Sequence, residues 1–290
     1  MDRSVYSRVV AVHNGKGGTY KTSIAANVAG TVAQSGSRVL LIDMDPQGNL
    51  GIELGYDHQS DDGAALARSM MSGGPLTGLL TVRDNLDVAC GGTHLERMQA
   101  VGDRHDLLLK PLDAVVDGYD LVVIDTPPSS QVLISAALVV AFHLVIPTQP
   151  DAKSLRGLRL VGEKVTVART HNPDLAVLGA VLVGIPVNSK QIRAQAKAEL
   201  ARILDDGELL MNSTIRYSQK SATTANERGV LASELAQEQI EDKVPFYTYL
   251  RQGKTVPQRL DAAPGLAADY AHLTSEIIDR LNAAEAEEQQ

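Results

Sequence analysis

The chain has 290 residues, a formal net charge of −8 and 44% hydrophobic residues, without any tryptophan. The single cysteine, Cys90, excludes an intramolecular disulfide and argues against a zinc or iron–sulfur cage built within one chain. An acidic chain is not an obvious nucleic-acid binder, so any DNA contact needs a local basic face. No apolar run reaches the roughly 18 residues needed to cross a bilayer, which predicts a cytoplasmic protein.

Short apolar runs alternate along the chain with longer segments of helical periodicity. The predicted strands are Val9–His13, Arg38–Ile42, Leu86–Ala89, Tyr119–Ile124, His143–Thr148 and Val177–Ile185. The predicted helices are Lys21–Gln34, Val132–Val140, Ala152–Arg169 and Gln191–Leu204. Continuously apolar strands that alternate with helices indicate a doubly wound α/β fold, with a mostly parallel sheet flanked by helices. Ligands of such sheets bind at the carboxyl ends of the strands.

A glycine-rich turn follows the first predicted strand and leads into the first predicted helix. Glycines let backbone N–H groups face phosphate oxygens, and the helix N-terminus adds partial positive charge. Lys21 can reach the β- and γ-phosphates, and the Thr22 hydroxyl can ligate Mg²⁺. The predicted nucleotide-binding residues are Gly15, Lys16, Gly17, Gly18, Thr19, Tyr20, Lys21, Thr22 and Ser23. This P-loop pattern predicts that the protein uses ATP and Mg²⁺.

Tyr20 departs from the usual phosphate loop, which has glycine before the lysine. That position often needs a positive φ, which costs a bulky residue about 1 kcal/mol or more. The sequence leaves open whether the loop takes a different local path or binds nucleotide more weakly. A third interpretation is that the tyrosine ring stacks on the base or on a partner chain.

Acidic side chains follow two of the predicted strands. Asp43 and Asp45 come after the second strand, and Asp125 directly follows the strand that begins at Tyr119. One acid of the first pair can hold Mg²⁺ through water, while the other orients an attacking water molecule. An acid at a buried strand end beside a phosphate site is a Walker B feature, so Asp125 is a predicted metal ligand.

These segments resemble the ParA/MinD group of ATPases. The stretch KGGTYKT is similar to the group's deviant Walker A box, KGGxxK[ST], DMDPQGN is similar to its switch I, and DTPP is similar to its switch II. The resemblance implies that Lys16 crosses a dimer interface to the partner's ATP and that Asp45 acts in hydrolysis. It also implies that Thr22, Asp43 and Asp125 belong to the metal site, where Asp43 supports either the metal or the loop. It covers residues 8–230 and again 264–282.

Two further segments match the group less specifically. Asp151 follows a predicted strand where an acid of the family often reaches the partner's nucleotide, but a helix N-cap explains it equally well. Asn188 follows the last predicted strand at a place that suits adenine contact, because its amide both donates and accepts hydrogen bonds.

A basic segment decides between branches of the group. ParA-like partition ATPases bind nonspecific DNA, which needs Lys and Arg side chains facing phosphates. The candidate DNA-binding residues are Lys190, Arg193, Lys197, Arg216 and Lys220, although a solvated helix face has similar residues. MinD-like positioning ATPases end in a basic amphipathic membrane helix, whereas this chain ends in AAEAEEQQ, so no membrane contact is expected.

The sequence therefore predicts a single ATPase domain over residues 1–282, with an insertion at 231–262 and a disordered acidic tail at 283–290. The resemblance implies a slow, nucleoid-associated DNA-partition ATPase that forms a homodimer on ATP and binds nonspecific DNA. Hydrolysis stimulated by a ParB-like centromere-binding partner would then release it. Two alternatives stay open: an ATPase that positions protein cargo on the nucleoid or on a membrane, and a nucleotide-gated adaptor that has lost hydrolysis because of Tyr20.

Overall fold

The computed structural model describes residues 6–102, 104–187, 190–203, 209–241 and 262–288. The strands are β1 (Val9–Val12), β2 (Val39–Asp43), β3 (Leu80–Arg83), β4 (Leu86–Ala89), β5 (Leu121–Asp125), β6 (His143–Thr148), β7 (Ala176–Ile185) and β8 (Leu210–Arg216). Within the described ranges they form one eight-stranded sheet in the order β3-β4-β2-β5-β1-β6-β7-β8. Only the β3–β4 pair among them is antiparallel. The predicted mostly parallel sheet is confirmed.

Helices cover both faces of this sheet. They are α1 (Lys21–Gln34), α2 (Asn49–Leu54), α3 (Ala64–Ser72), α4 (Leu109–Asp113), α5 (Gln131–Val140), α6 (Ala152–Arg169), α7 (Lys190–Ile203), α8 (Gln219–Arg228), α9 (Ala232–Glu241) and α10 (Ala263–Glu288). The bounds of α1 and α6 are the predicted ones, α5 begins one residue before its predicted start, and both bounds of α7 lie one residue before the predicted ones. Within the described ranges, no helix is both long and apolar enough to span a bilayer.

The strands are buried on both sides because each contributes alternate residues to two separate cores. In β1, Val9 and Ala11 join the core beneath α3–α7, while Val10 and Val12 join the core beneath α1, α2 and α10. Both cores are built mainly from aliphatic side chains, as expected from a chain with two phenylalanines and no tryptophan. Burial on both faces stabilises the sheet. Polar side chains are therefore found at the ends of the strands.

Two helix ends meet without a side chain between them. Gly55 caps α2 and Gly229 caps α8, with φ angles of 75° and 61°. A Cβ atom on Gly229 would collide with the backbone N and Cα of Gly55. Because other L-residues rarely adopt a positive φ, both the conformation and the close approach require glycine.

The structure differs from the sequence-based prediction at the two outer strands of the sheet and in the last residues described. β3 and β8 were not predicted. Residues 283–288, predicted to be disordered, continue α10 through Glu288, and Glu285 anchors them by ion-pair contact with Arg8 at 2.6 Å. Of the predicted insertion, α9 is described, and residues 242–261 lie outside the described residues.

Candidate functional site

The carboxyl ends of the parallel strands lie along one edge of the sheet, and the predicted site segments follow them there. The glycine-rich loop follows β1, the first acidic pair follows β2, and Asp125 closes β5. Asp125 is the register partner of Val12 on one side and of Asp43 on the other. A cleft of about 390 Å³ opens at this edge. Its lining comprises residues 17–23, Asp45, Gln47, Asn49, Ile52, Glu53, Pro128 and Asn226.

The phosphate loop is braced against the neighbouring strand β6. The Asn14 amide donates to the Pro147 carbonyl at 2.6 Å, and its oxygen accepts from the Lys16 backbone N–H at 3.0 Å. The Thr19 hydroxyl and the Lys21 ammonium both donate to the Lys16 carbonyl, at 3.0 and 3.2 Å. These bonds hold an open turn in front of the N-terminus of α1, where backbone N–H groups and the helix dipole favour an anion.

Tyr20 has the positive φ expected at its position, with φ 60° and ψ 16°. Its ring lies against Gly184 of β7, where a Cβ atom would be 3.5 Å from the phenolic oxygen. Burial raises the pKa of Tyr20, and nearby Tyr217 adds to the shift. The loop therefore keeps the left-handed turn at this residue, and the tyrosine ring packs on its own sheet.

Asp43 and Asp125 form a buried carboxyl pair, and each has an exposed fraction of 0%. Neither oxygen of Asp125, nor Oδ2 of Asp43, makes a hydrogen bond of ordinary geometry with the described residues. Burial raises the pKa of both carboxyls, and repulsion by Asp125 adds to the shift at Asp43. The Thr22 hydroxyl and the Lys21 ammonium oppose the rise at Asp125.

The unsatisfied oxygens fit a hard divalent cation. Buried carboxylate oxygens without partners cost free energy, and a cation that accepts them as ligands removes that cost. Mg²⁺ prefers oxygen ligands and usually takes one or two carboxylates together with substrate phosphates. Accordingly, no group of three or more His, Cys, Asp or Glu among the described residues forms a metal cage by itself. Thr22, Asp43 and Asp125 supply the side-chain oxygens that such a site needs.

Asp45 lies in a loop that the buried acids hold in place. Its backbone N–H donates to Asp43 Oδ1 at 2.9 Å, and the preceding N–H, of Met44, donates to the Asp125 carbonyl at 2.9 Å. Asp45 Oδ1 in turn accepts from the Gln47 N–H at 3.0 Å. The Asp45 side chain therefore has a fixed position at the lining of the cleft, with one oxygen engaged in the loop.

Lys16 reaches across to the segment that follows β6. Its ammonium donates to Gln149 Oε1 at 2.8 Å, to Asp151 Oδ2 at 3.0 Å and to Ser154 Oγ at 3.0 Å. Although burial alone would raise it, hydrogen bonds from the Ser154 N–H and from Lys16 lower the pKa of Asp151 to about 2. Asp151 also accepts from the Ser154 N–H at 2.9 Å, which is an N-cap contact. Lys16 is thus engaged within its own chain.

Gly91, in the turn after β4, leaves the space that the Asp43 carboxyl occupies. A Cβ atom on Gly91 would lie 2.5 Å from Asp43 Cγ and 2.7 Å from Oδ1. We expect Gly91→Ala to lower the free energy of unfolding by about 1–3 kcal/mol, because a rigid buried group must move. Urea unfolding measures this. The control Gly162→Ala adds a methyl in open space on α6 and should stabilise by roughly 0.5–1 kcal/mol. Equal midpoints for Gly91→Ala and the unaltered chain would contradict the crowding argument.

The predicted DNA-binding residues are not all available at the surface. Arg216 makes two hydrogen bonds to Asp269, at 2.6 and 2.8 Å, which tie β8 to α10. Lys197 donates to the Asn212 carbonyl at 3.3 Å, whereas Lys220, at the start of α8, is exposed. The side chains of Lys190 and Arg193, and the whole of Asn188, lie outside the described residues.

The sequence argument missed several groups that surround the cleft. Gly91 is one of them, and its signal was a glycine pair directly after a predicted strand. Glu53 is another: it accepts from the Ser23 hydroxyl at 2.5 Å, and burial raises its pKa to about 7. His13 precedes the loop and is fully buried. Its signal was a polar residue at the end of an apolar strand.

Comparisons with known proteins agree with this fold. A family model described as an AAA domain (AAA_31) matches residues 7–177, more than half of the chain. The chromosome-partitioning ATPase Soj of Thermus thermophilus is 30% identical over 285 residues, which are 96% of this chain and 98% of the relative. A ParA family protein of Chlamydia pneumoniae is 35% identical over 225 residues, which are 72% of this chain and 83% of that protein.

A solved structure extends the likeness. A putative plasmid partition protein of Borrelia burgdorferi, bound to AMPPNP, has a TM-score of 0.71 at 18% identity, over 94% of this chain and 99% of its own. At that identity the similarity concerns the fold alone. Together with the two relatives and the matching domain model, the fold and the phosphate loop identify this chain as a member of the ParA family of P-loop ATPases.

Proposed function

We propose that this chain is a slow DNA-partition ATPase that pairs two copies on ATP and binds nonspecific DNA in the paired form. Hydrolysis stimulated by a ParB-like partner then releases it from DNA. The observation that carries the proposal is the buried carboxyl pair, Asp43 and Asp125, beside a phosphate loop that presents Lys21. Residues 1–282 form the ATPase domain in this proposal, and 231–262 form its insertion.

The binding step uses the loop from Gly15 to Ser23. Its backbone N–H groups and the N-terminus of α1 hold the phosphates, and Lys21 neutralises their charge. Burial lowers the pKa of Lys21, with Asp125 and Asp45 opposing the shift, so an anionic phosphate restores favourable charge pairing. Thr22, Asp43 and Asp125 would hold Mg²⁺, which would offset negative charge on the phosphate oxygens. In this proposal Asn188 contacts the base, while Tyr20 lines the cleft with its ring against Gly184.

The hydrolytic step uses Asp45 as the group that orients water. Its backbone is fixed through Asp43, while the cleft gives its side chain access to the γ-phosphate position. ATP turnover, measured alone and with DNA and partner, separates an ATPase from an adaptor that has lost hydrolysis. No turnover under all conditions would favour the adaptor.

The DNA-binding step uses basic residues of α7 and α8. Lys220 and Lys197 are the described members of this set, with Lys190 and Arg193 completing it on α7. Arg216 contributes through its pairing with Asp269, by keeping β8 against α10. A pair of copies doubles these charges on one surface, which is how an acidic chain gains a local basic face. The proposed location is therefore the nucleoid.

We expect Lys220→Gln to weaken ATP-dependent DNA binding about three- to tenfold and to lower the salt slope by about 2 per pair of copies. Each lysine that contacts a DNA phosphate releases bound counterions, and a pair of copies carries two Lys220 side chains. Fluorescence anisotropy with random-sequence DNA, measured across a salt series, gives both quantities. The matched control is Lys110→Gln on α4, which removes the same charge from another exposed site and should change neither.

The same assay tests the switch itself. The unaltered chain should retain DNA with ATP and lose it with ADP. Equal retention with the two nucleotides would overturn the proposal that pairing on ATP controls DNA binding.

A further inference from the structure

His13 connects two parts of the protein that the proposed reaction does not otherwise link. It lies between the end of β1 and the phosphate loop, with an exposed fraction of 0%. Its Nδ1 is 2.8 Å from the Thr126 hydroxyl, and its Nε2 is 3.4 Å from the Lys164 ammonium. Thr126 directly follows Asp125, while Lys164 belongs to α6.

The directions of the hydrogen bonds from Thr126 through His13 to Lys164 follow from the groups at the two ends of this series. The Thr126 hydroxyl donates its proton to the Val12 carbonyl at 2.9 Å, so its oxygen accepts from His13 Nδ1–H. His13 Nε2 then carries the lone pair, and the Lys164 ammonium donates to it. Burial lowers the pKa of His13 to about 3, with Lys164 and Lys21 adding to the shift. The imidazole is therefore neutral, with its proton on Nδ1.

The two ends of this chain of bonds lie in different surroundings. At the inner end, Thr126 is fully buried beside the proposed metal ligand. At the outer end, Lys164 lines a groove of about 590 Å³ that also contains Lys16 and the exposed side chains of Leu160 and Val167. A shift of α6 at this groove therefore changes the distance from Lys164 to His13.

Packing alone does not explain a histidine here. The preceding residues of β1 are all aliphatic, and a buried polar ring costs free energy unless both nitrogens are satisfied. His143, at the amino end of β6, makes no ring hydrogen bond of ordinary geometry with the described residues, and its polar neighbours are Glu285 and the Ser7 backbone. The two buried histidines thus form a natural comparison, because only His13 bonds to the residue that follows Asp125.

We propose that His13 is a positioning residue for ATP hydrolysis. It holds Thr126 next to Asp125 and couples the position of Lys164 on α6 to the Asp125–Thr126 segment. The inference rests on the proposed ATPase activity and adds a residue to it. His13 touches neither nucleotide nor metal in this scheme. It acts by keeping the Asp125–Thr126 segment in one geometry, and small misplacements at reacting groups cost large factors in rate.

Nitrogen NMR of the imidazole rings tests the connection without any ATPase assay. The buried His13 should give the signals of a neutral ring protonated at Nδ1, with no titration down to about pH 4. Lys164→Met should shift the His13 Nε2 signal and leave His143 unchanged. A ring protonated at Nε2, or a spectrum insensitive to Lys164→Met, would overturn the proposed connection.

Steady-state kinetics tests the consequence. His13→Gln loses the donor at the Nδ1 position and should lower kcat about tenfold, with KM for ATP changed less than about twofold. His13→Asn keeps an amide N–H where Nδ1 stands and should restore most of that loss. Lys164→Met should lower kcat by about threefold. His143→Gln, at an equally buried site, should behave like the unaltered chain.

Each outcome decides one claim. Equal losses in His13→Gln and His13→Asn, or a similar loss in His143→Gln, would mean that His13 only fills space. If the unaltered chain does not hydrolyse ATP at all, the proposed function fails, and the NMR result still decides whether His13 joins Lys164 to Thr126.

Discussion

Replacing Asp125 by asparagine is expected to stabilise the nucleotide-free protein while abolishing its ATPase activity. Asp125 is fully buried, and neither of its oxygens makes an ordinary hydrogen bond with the described residues. Removing a buried charge that Thr22 and Lys21 offset only in part should raise the free energy of unfolding by about 2 kcal/mol. For a chain of 290 residues that corresponds to a rise in Tm of roughly 3–4 °C. The asparagine cannot supply the anionic ligand that Mg²⁺ prefers, so activity is lost.

The gain in stability should depend on pH in a defined direction. Burial raises the pKa of Asp125 above its ordinary value, so the folded protein keeps a proton that the unfolded chain releases. The stability that this group contributes is complete below the ordinary carboxyl range and is lost as the pH rises through the raised value. Asp125→Asn should therefore gain most at and above neutral pH and little in acid.

Thermal unfolding measures the gain in stability, unfolding with Mg·ATP measures whether the variant still binds the ligand, and an ATP turnover assay measures the loss of activity. Saturating ligand at about 100 Kd should add about 2.7 kcal/mol to the unaltered chain and little to the variant. Asp269→Asn is the control, because Asp269 is paired with Arg216 and its replacement should lower Tm. A variant at Asp125 that unfolds at a lower temperature than the unaltered chain at pH 8 would refute the argument from buried charge.

Lys16→Ala should leave ATP binding intact and abolish ATP-dependent dimerisation. Lys16 points away from Lys21 and makes its side-chain bonds with residues that follow β6. An exposed ion pair of this kind, with side-chain exposures of 37% and 43%, is worth less than about 1 kcal/mol. In the proposed dimer, the partner's phosphates would compete for Lys16 against this weak contact, and Lys16→Ala would remove that interaction.

Light scattering with a slowly hydrolysed ATP analogue measures the dimer, and fluorescence titration measures nucleotide affinity. The matched variant is Asp151→Asn, which weakens the internal contact but keeps Lys16. It should leave dimerisation unchanged or strengthen it by at most about fivefold, the equivalent of about 1 kcal/mol. An unchanged dimer in Lys16→Ala would remove the proposed trans role, whereas loss of ATP binding would show that Lys16 acts within its own site.

The sequence predicted the parts of the fold whose signals are local. α1 and α6 have the predicted bounds because their helical periodicity is continuous. β3 escaped prediction because it is a half-exposed edge strand of four residues, stabilised by a hairpin with β4. β8 escaped because polar residues interrupt its apolar pattern. Such strands form through pairing with neighbours, which a single segment does not reveal.

The same distinction holds at the candidate site. Asp43 and Asp125 could be placed together from the sequence because both end buried parallel strands, whereas the positive φ of Tyr20 was one of the outcomes that the sequence left open. The crowding of Asp43 by Gly91 and the pairing of Arg216 with Asp269 could not be predicted, since they depend on contacts between distant segments. Neither leaves a periodicity or a spacing that could be read along the chain.

The contact between Gly55 and Gly229 has a mechanical consequence. α2 follows directly from the loop that holds Asp45, and α8 carries the exposed Lys220 in its first turn. Since the two backbones touch with no flexible side chain between them, neither helix end can advance toward the other independently. A displacement of α2 would therefore press on the C-terminal end of α8, and a bulkier residue at either glycine would force the two helix ends apart.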